Sequence, residues 1–395
     1  MSGVNTAVKY QNALAVGMIL MITGVTLAAH QFKVPMIMGE VAGSAGMSEG
    51  AAGWMMSIFV FTGIFLALPA GALAQKFGPK NIVILAALIA GAGSILGALT
   101  TSAAVILVSR AIEGVGFIFI AVAGPMSVIS HCEPAKIGRA IGIWATWVPI
   151  GQIIAFNLTP VLVGSVSWQG IWYMFAALSI VMAFVIKAFL KAPEGLPPAP
   201  KEAEKVPMGE LFGNRNILFA GLSFSTFNYL LFAIIIFFPA YAVERGIMEL
   251  GEAAFVASIP MIGSIVGSPV LGFLSEKMGR KKLYILSIAA TGVGTILYYV
   301  SDARAVIYAG GVLVGLIGLA CPAMLLGSMG EVAGNPRLIG PGTGVVFTFQ
   351  NVGMFLGTAT FMAAVVGFGS FASASLLAIP IAGVGILLAA MMKFQ

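Results

Sequence analysis

The sequence predicts an all-α polytopic membrane protein: twelve transmembrane helices in two pseudo-symmetric six-helix halves. Three observations predict it. The 395 residues are 59% hydrophobic and only 9% charged, with a mean hydropathy of +1.04. A soluble domain carries charge on about a quarter of its residues. Windows of roughly 20 apolar residues, long enough to cross a bilayer as helices, recur along the whole chain. A short polar loop also occurs twice, 201 residues apart. The first copy reads Gly71-Ala72-Leu73-Ala74-Gln75-Lys76-Phe77-Gly78-Pro79-Lys80, and the second Gly272-Phe273-Leu274-Ser275-Glu276-Lys277-Met278-Gly279-Arg280-Lys281. Each copy joins two apolar runs, so each is a membrane hairpin, and the spacing makes the halves tandem relatives.

Charge-poor windows place the spans in order. The first half holds 12–31, 51–74, 82–100, 104–130, 140–163 and 168–190. The second holds 216–241, 252–274, 283–301, 305–330, 340–366 and 369–392. The domains are therefore a six-helix bundle over 1–190, a linker over 191–215 and a second bundle over 216–395. The linker contains Pro193, Pro197, Pro198, Pro200 and Pro207 among Lys and Glu, and nothing in it can bury a core. Met208–Phe212 reads as a short amphipathic stretch on the membrane surface.

Basic residues set the orientation. Sixteen Lys and Arg fall on one side, while Lys33, Arg245 and Arg304 fall on the other or within its interface, and Arg110 lies inside a span. The positive-inside rule puts both termini in the cytoplasm. The net charge of +6 follows from that bias and from the anionic inner leaflet, and implies no nucleic acid. The first apolar run is too long for a cleavable signal, and no Ala-x-Ala site follows it. The lipid bilayer is the expected surrounding, in a bacterial inner membrane or a plasma membrane, and a monomer suffices. Cys132 and Cys321 lie in a loop and a span with no metal-ligand spacing. No metal and no cofactor are expected.

The repeated loop resembles the signature loop of the major facilitator superfamily, in which a glycine is followed by an acid, a base, a second glycine and further bases. The resemblance rests on Gly71, Lys76, Gly78 and Lys80 in the first copy. In the second it rests on Gly272, Glu276, Lys277, Gly279, Arg280 and Lys281. Gln75 departs from it, standing where the family has an acid. The resemblance covers the whole chain and implies a secondary transporter whose first, fourth, seventh and tenth spans line a central cavity. It implies a gate latch in which Glu276 faces the start of the fifth span at Arg139.

Ionisable residues inside spans are costly and mark function by default. His30 and Lys33 end the first run three residues apart, on one helical face. Pro35 follows, and in the superfamily the first helix commonly continues past such a proline. That would carry this helix to about residue 40 and put Lys33 in the cavity as an anion-binding group. The other reading ends the helix at Gln31 and lets Lys33 snorkel to the interface. Arg110 and Glu113 lie near the middle of the fourth span, also three apart. They read either as a structural ion pair or as a proton-coupling pair, the role the resemblance implies for an arginine followed by spaced glycines. Asn228 and Tyr229 in the seventh span, and Gln350 and Asn351 in the eleventh, can orient a substrate or bond a neighbouring helix. Gln152 and Asn157 read as packing groups.

Together these features imply a carrier that is not an enzyme. It moves a small-molecule substrate, an organic or inorganic anion such as a carboxylate, by alternating access with protons as the coupling ion. An exporter of amphipathic, drug-like compounds is the alternative, though the fifth span lacks the glycine run around a Gly-Pro that marks many drug/proton antiporters. A membrane receptor or sensor that does not transport is the alternative of a different class.

Overall fold

A computed structural model describes residues 10–191 and 206–393, all helical apart from turns and short connections. The first half holds α1 (Ala13–Phe32), α2 (Trp54–Phe77), α3 (Pro79–Ala98), α4 (Ala103–His131), α5 (Trp147–Val163) and α6 (Trp168–Phe189). The second holds α7 (Arg215–Glu244), α8 (Leu250–Met278), α9 (Arg280–Tyr299), α10 (Arg304–Leu316), α11 (Pro336–Phe368) and α12 (Ala378–Met391). Among the described residues, eleven helical segments are long and apolar enough to cross a membrane, and α2, bent by 61° between Ala67 and Pro69, brings the number to twelve. Short pieces extend several spans: Ile137–Trp144 leads into α5, and Cys321–Gly327 continues α10 after a 3-10 turn. Met208–Gly213 is a short helix, as the sequence indicates. Most of the linker lies outside the described residues.

Large aliphatic and aromatic side chains such as Phe65, Val161 and Leu387 face outward, as a hydrocarbon solvent allows. The repeated loops take the same shape. Gly78 ends α2 at φ +86°, and Gly279 ends α8 at φ +90°, a region essentially restricted to glycine. Gly71 and Gly272 use no such freedom, since neither takes a positive φ. The lysine two positions after Gly78 or Gly279 closes each half. Lys80 Nζ donates to the Lys187 carbonyl at the end of α6 (3.2 Å). Lys281 Nζ donates to the Ala390 and Met392 carbonyls at the end of α12 (2.6 and 2.8 Å). Both lysines satisfy carbonyls that a helix C-terminus leaves free, at its negative dipole end. A second tie sits beside each. Gln11 donates to Phe189 O and accepts from Lys191 N, while Asn216 donates to Lys393 O and accepts from Lys393 N.

One sequence expectation fails here. The first helix does not run to about residue 40: it stops at Phe32, residues 33–37 form turns, and a short helix Met38–Ser44 follows. Pro35 has no N–H to continue the ladder. The turn is nevertheless inside the protein, because Phe32 through Met38 are all buried.

Candidate functional site

The break after α1 puts Lys33 into a fully buried ionic cluster inside the first half. Lys33 Nζ donates to Glu113 Oε1 at 2.7 Å and to Ser94 Oγ at 2.8 Å. The Trp172 indole donates to the same carboxylate oxygen at 3.1 Å. His30 Nδ1 lies 3.0 Å from it, and His30 Nε2 is 2.7 Å from Ser179 Oγ. Arg110 takes the other oxygen, Glu113 Oε2. Its Nε donates to the Met55 carbonyl (3.1 Å), Nη1 also to the His30 carbonyl (2.7 Å), and Nη2 to the Met56 sulfur (3.9 Å). Both cations are also covered by rings. Lys33 Nζ is 4.5 Å from the Trp172 ring centroid, and the Arg110 guanidinium is 4.5 Å from that of Phe59.

Local sequence explains the convergence. His30 and Lys33 are three apart on α1, and Arg110 and Glu113 three apart on α4, so each pair shares a face. Gly93 and Gly97 let α3 press against α4: a Cβ on Gly93 would come within 2.9 Å of the Glu113 amide nitrogen, and one on Gly97 within 2.7 Å of Ser109 Oγ. That approach places Ser94 under Lys33. The pair on α4 sits in the first half of the helix Ala103–His131, not near its middle as the sequence windows indicate. The cluster therefore lies toward the end of the bundle opposite the termini.

Counting the imidazole as neutral, the cluster holds two cations and one carboxylate. A buried charge without a partner costs several kcal/mol, so this arrangement gains from either an added anion or a lost proton. Lys33 does not snorkel: it is fully buried, and its ammonium engages Glu113. The sequence pairs Arg110 with Glu113 but gives no sign that Lys33 reaches the same carboxylate. Nothing in the sequence singles out Ser94, Ser179 and Trp172, because a serine or an indole in an apolar span looks the same whether it packs or bonds.

The other expected residues lie elsewhere. Asn228 is buried and donates to Phe224 O on its own helix (2.8 Å). The Tyr229 hydroxyl accepts from Thr360 (3.0 Å). Gln350 is half-buried. Asn351 donates to Phe347 O and lies against Gly63 of α2, where a Cβ would overlap its carboxamide. The structure does not gather these four around the cluster. At the loops, Lys76 sits over Phe77 (5.2 Å) and Lys277 over Phe273 (5.1 Å), and Gln75 is exposed. Arg280 pairs with Glu331 (2.9 Å) within its own half. Arg139 is exposed, and the Glu276 side chain lies outside the described residues.

The halves meet toward the end opposite the termini. Ser57 on α2 donates to Thr358 on α11 (2.8 Å). Asn157 and Gln152 on α5 donate to Ser258 Oγ (3.0 Å) and Ala257 O (3.3 Å) on α8.

Comparison with known proteins agrees with this architecture. The Major Facilitator Superfamily profile matches residues 13–255 and 248–395. The chain belongs to that superfamily of membrane transporters. A hexuronate transporter of Bacillus subtilis (strain 168) is 23% identical over 225 residues, 53% of this chain and 52% of its own length. The probable sulfoacetate transporter SauU of Cupriavidus necator is 22% identical, covering 60% and 58%. The methylenomycin A resistance protein of Bacillus subtilis (strain 168) is 25% identical, covering 46% and 39%. The chain spans about half the length of these relatives. Among solved structures, a bacterial homologue of the human lysosomal transporter Spinster, inward-facing and unoccupied, superposes with a TM-score of 0.75 at 14% identity over 96% of this chain and 97% of that one. That likeness is one of fold.

Proposed function

We propose that the protein is a secondary transporter that carries a small organic anion, of carboxylate type, together with a proton by alternating access. The observation that carries the reading is the buried cluster of Lys33 and Arg110 on a single carboxylate, Glu113. Competition for Lys33 suggests the coupling. An incoming monoanion offsets the surplus cation of the cluster, but the Lys33 ammonium is already held by Glu113, so anion and carboxylate compete for it. A proton on Glu113 frees Lys33 to pair with the incoming anion. His30, bonded to both Glu113 and Ser179, is placed to pass that proton on.

The positive-inside bias assigns the termini to the cytoplasm. On that orientation the inter-half hydrogen bonds close the outer side, and the cluster lies in the outer half of the membrane. The hexuronate and sulfoacetate relatives support an anionic cargo. A second reading, export of amphipathic compounds, draws on the methylenomycin A resistance relative.

Ligand-dependent thermal stabilisation of the purified protein separates the two readings, because a ligand stabilises the state it binds. The panel holds glucuronate, sulfoacetate and hydrophobic amines. Stabilisation by an anion, strongly weakened in Lys33→Ala and partly kept in Lys33→Arg, whose flat guanidinium meets the site differently, is the expected result. Stabilisation by amines alone, or wild-type anion affinity in Lys33→Ala, overturns the anion assignment.

A further inference from the structure

Two of the hydrogen bonds that join the halves are images of one another under the internal repeat. Ser57 and Ser258 stand 201 residues apart, and so do Asn157 and Thr358. In one pair Ser57 on α2 meets Thr358 on α11 (2.8 Å). In the other Ser258 on α8 meets Asn157 on α5 (3.0 Å). The local bonding repeats as well. Ser57 Oγ lies 3.2 Å from Gly53 O, and Ser258 Oγ 2.9 Å from Ala254 O. Thr358 bonds to Met354 O (3.0 Å), and Asn157 to Ile153 O (2.8 Å). Thr358, Asn157 and Ser258 each donate to the carbonyl one turn back, while Ser57 directs its single proton to Thr358. Both serines are fully buried. A further bond between the halves, from Gln152 to Ala257 O, has no such image, because Gly353 stands at the matching position.

We propose that these two bonds are a single latch, and that Ser57, Thr358, Asn157 and Ser258 are positioning residues that hold the halves closed at the end opposite the termini. The reasoning is geometric. The two seams, α2 with α11 and α5 with α8, lie on either side of the pseudo-twofold axis. A rocking motion of one half against the other must open both together. Beside these bonds and that of Gln152, the seams also make aromatic contact, such as Trp54 with Phe355 (6.0 Å between centroids). Such contact has little directional preference, whereas a hydrogen bond fixes register. The neutral character of all four groups suits the task. Breaking a neutral bond costs little enough to permit turnover, and an ion pair here would hold more tightly. This inference concerns the transport motion and does not depend on the cargo.

The test is pulsed-dipolar distance measurement across both seams in the full-length protein, with Cys132 and Cys321 replaced by serine. One label pair, at Ser165 and Glu249, spans the α5–α8 seam. The other, at Ser44 and Gly367, spans the α2–α11 seam. Ser57→Ala and Ser258→Ala should each raise the open-to-closed ratio at both seams, by roughly five-fold per bond lost. The double variant should approach the product of the two. Ser57→Thr and Ser258→Thr, which keep the hydroxyl, should restore the closed population. A shift confined to the mutated seam would reduce these bonds to local packing and overturn the latch. An unchanged distribution at both seams in the double alanine variant would overturn it too.

Discussion

The two halves share one backbone plan and fill it with opposite chemistry. In the first half, Arg110 reaches the Met55 carbonyl on α2 (3.1 Å). The matching carbonyl in the second half, Val256 on α8, accepts instead from the Tyr298 hydroxyl (3.2 Å). Gly311 stands at the position of Arg110, and a Cβ there would come within 2.8 Å of Tyr298 Oη. The tyrosine has thus taken the space of the arginine. Leu231, Ile234 and Val314 stand where His30, Lys33 and Glu113 stand, and all three are buried. Around them Tyr298, Tyr299, Phe238, Tyr241 and Phe371 form one aromatic cluster. A packed apolar core is at least as stable as a buried ion cluster of similar volume. The second half shows that this fold packs without an ion cluster at these positions, so stability alone does not account for the cluster in the first. On the proposed function, those charges serve coupling.

The largest expected contrast comes from deleting one group in each half. Glu113→Ala leaves two buried cations without an anion and should cost roughly 3–5 kcal/mol of stability. Val314→Ala, its counterpart, should cost roughly 1–3 kcal/mol through a small cavity. Chemical unfolding of the two variants in detergent checks this. Equal losses would remove the electrostatic distinction between the halves.

Much of this contrast could be read from the sequence, and the part that could not has a physical cause. The twelve spans, the repeat and the two ionisable pairs follow from hydropathy and spacing, because lipid permits few charges and helices impose a three-to-four-residue period. The absence of charge at Gly311 is equally plain. The union of the two pairs in one cluster was not legible. It depends on where α1 breaks and on how closely α3 approaches through Gly93 and Gly97, and both are tertiary facts. Neither was the substitution of Tyr298 for Arg110, because the two residues lie on different helices and share only a carbonyl partner. Asn228 shows a further limit. A polar residue on a helix expected to line a cavity can spend its donor on its own backbone, as Asn351 does on the eleventh span.

A smaller effect sharpens the comparison. Tyr298→Phe removes the donor to Val256 O and leaves a buried carbonyl unpaired. It should cost about 1–3 kcal/mol and leave any proton coupling unchanged. Thermal unfolding together with proton-driven uptake in vesicles checks both halves of the statement. Loss of coupling in Tyr298→Phe would mean that the aromatic cluster takes part in transport.

The smallest effect concerns what the halves have in common. Lys80→Ala and Lys281→Ala each remove a cap from the last turn of α6 or α12, worth about 0.3–1 kcal/mol. The two losses should agree within error. A loss several times larger on one side would show that one loop has a further role in gating.

The central claim is that anion and proton bind together at Glu113, Lys33 and Arg110. Calorimetric titration with glucuronate in buffers of differing ionisation enthalpy tests it most directly, because the buffer dependence reports protons taken up per anion bound. Coupling at the cluster predicts uptake close to one proton per anion in the wild-type protein and close to none in Glu113→Gln. Anion binding with no proton uptake in the wild type, or with the same uptake in Glu113→Gln, would contradict it.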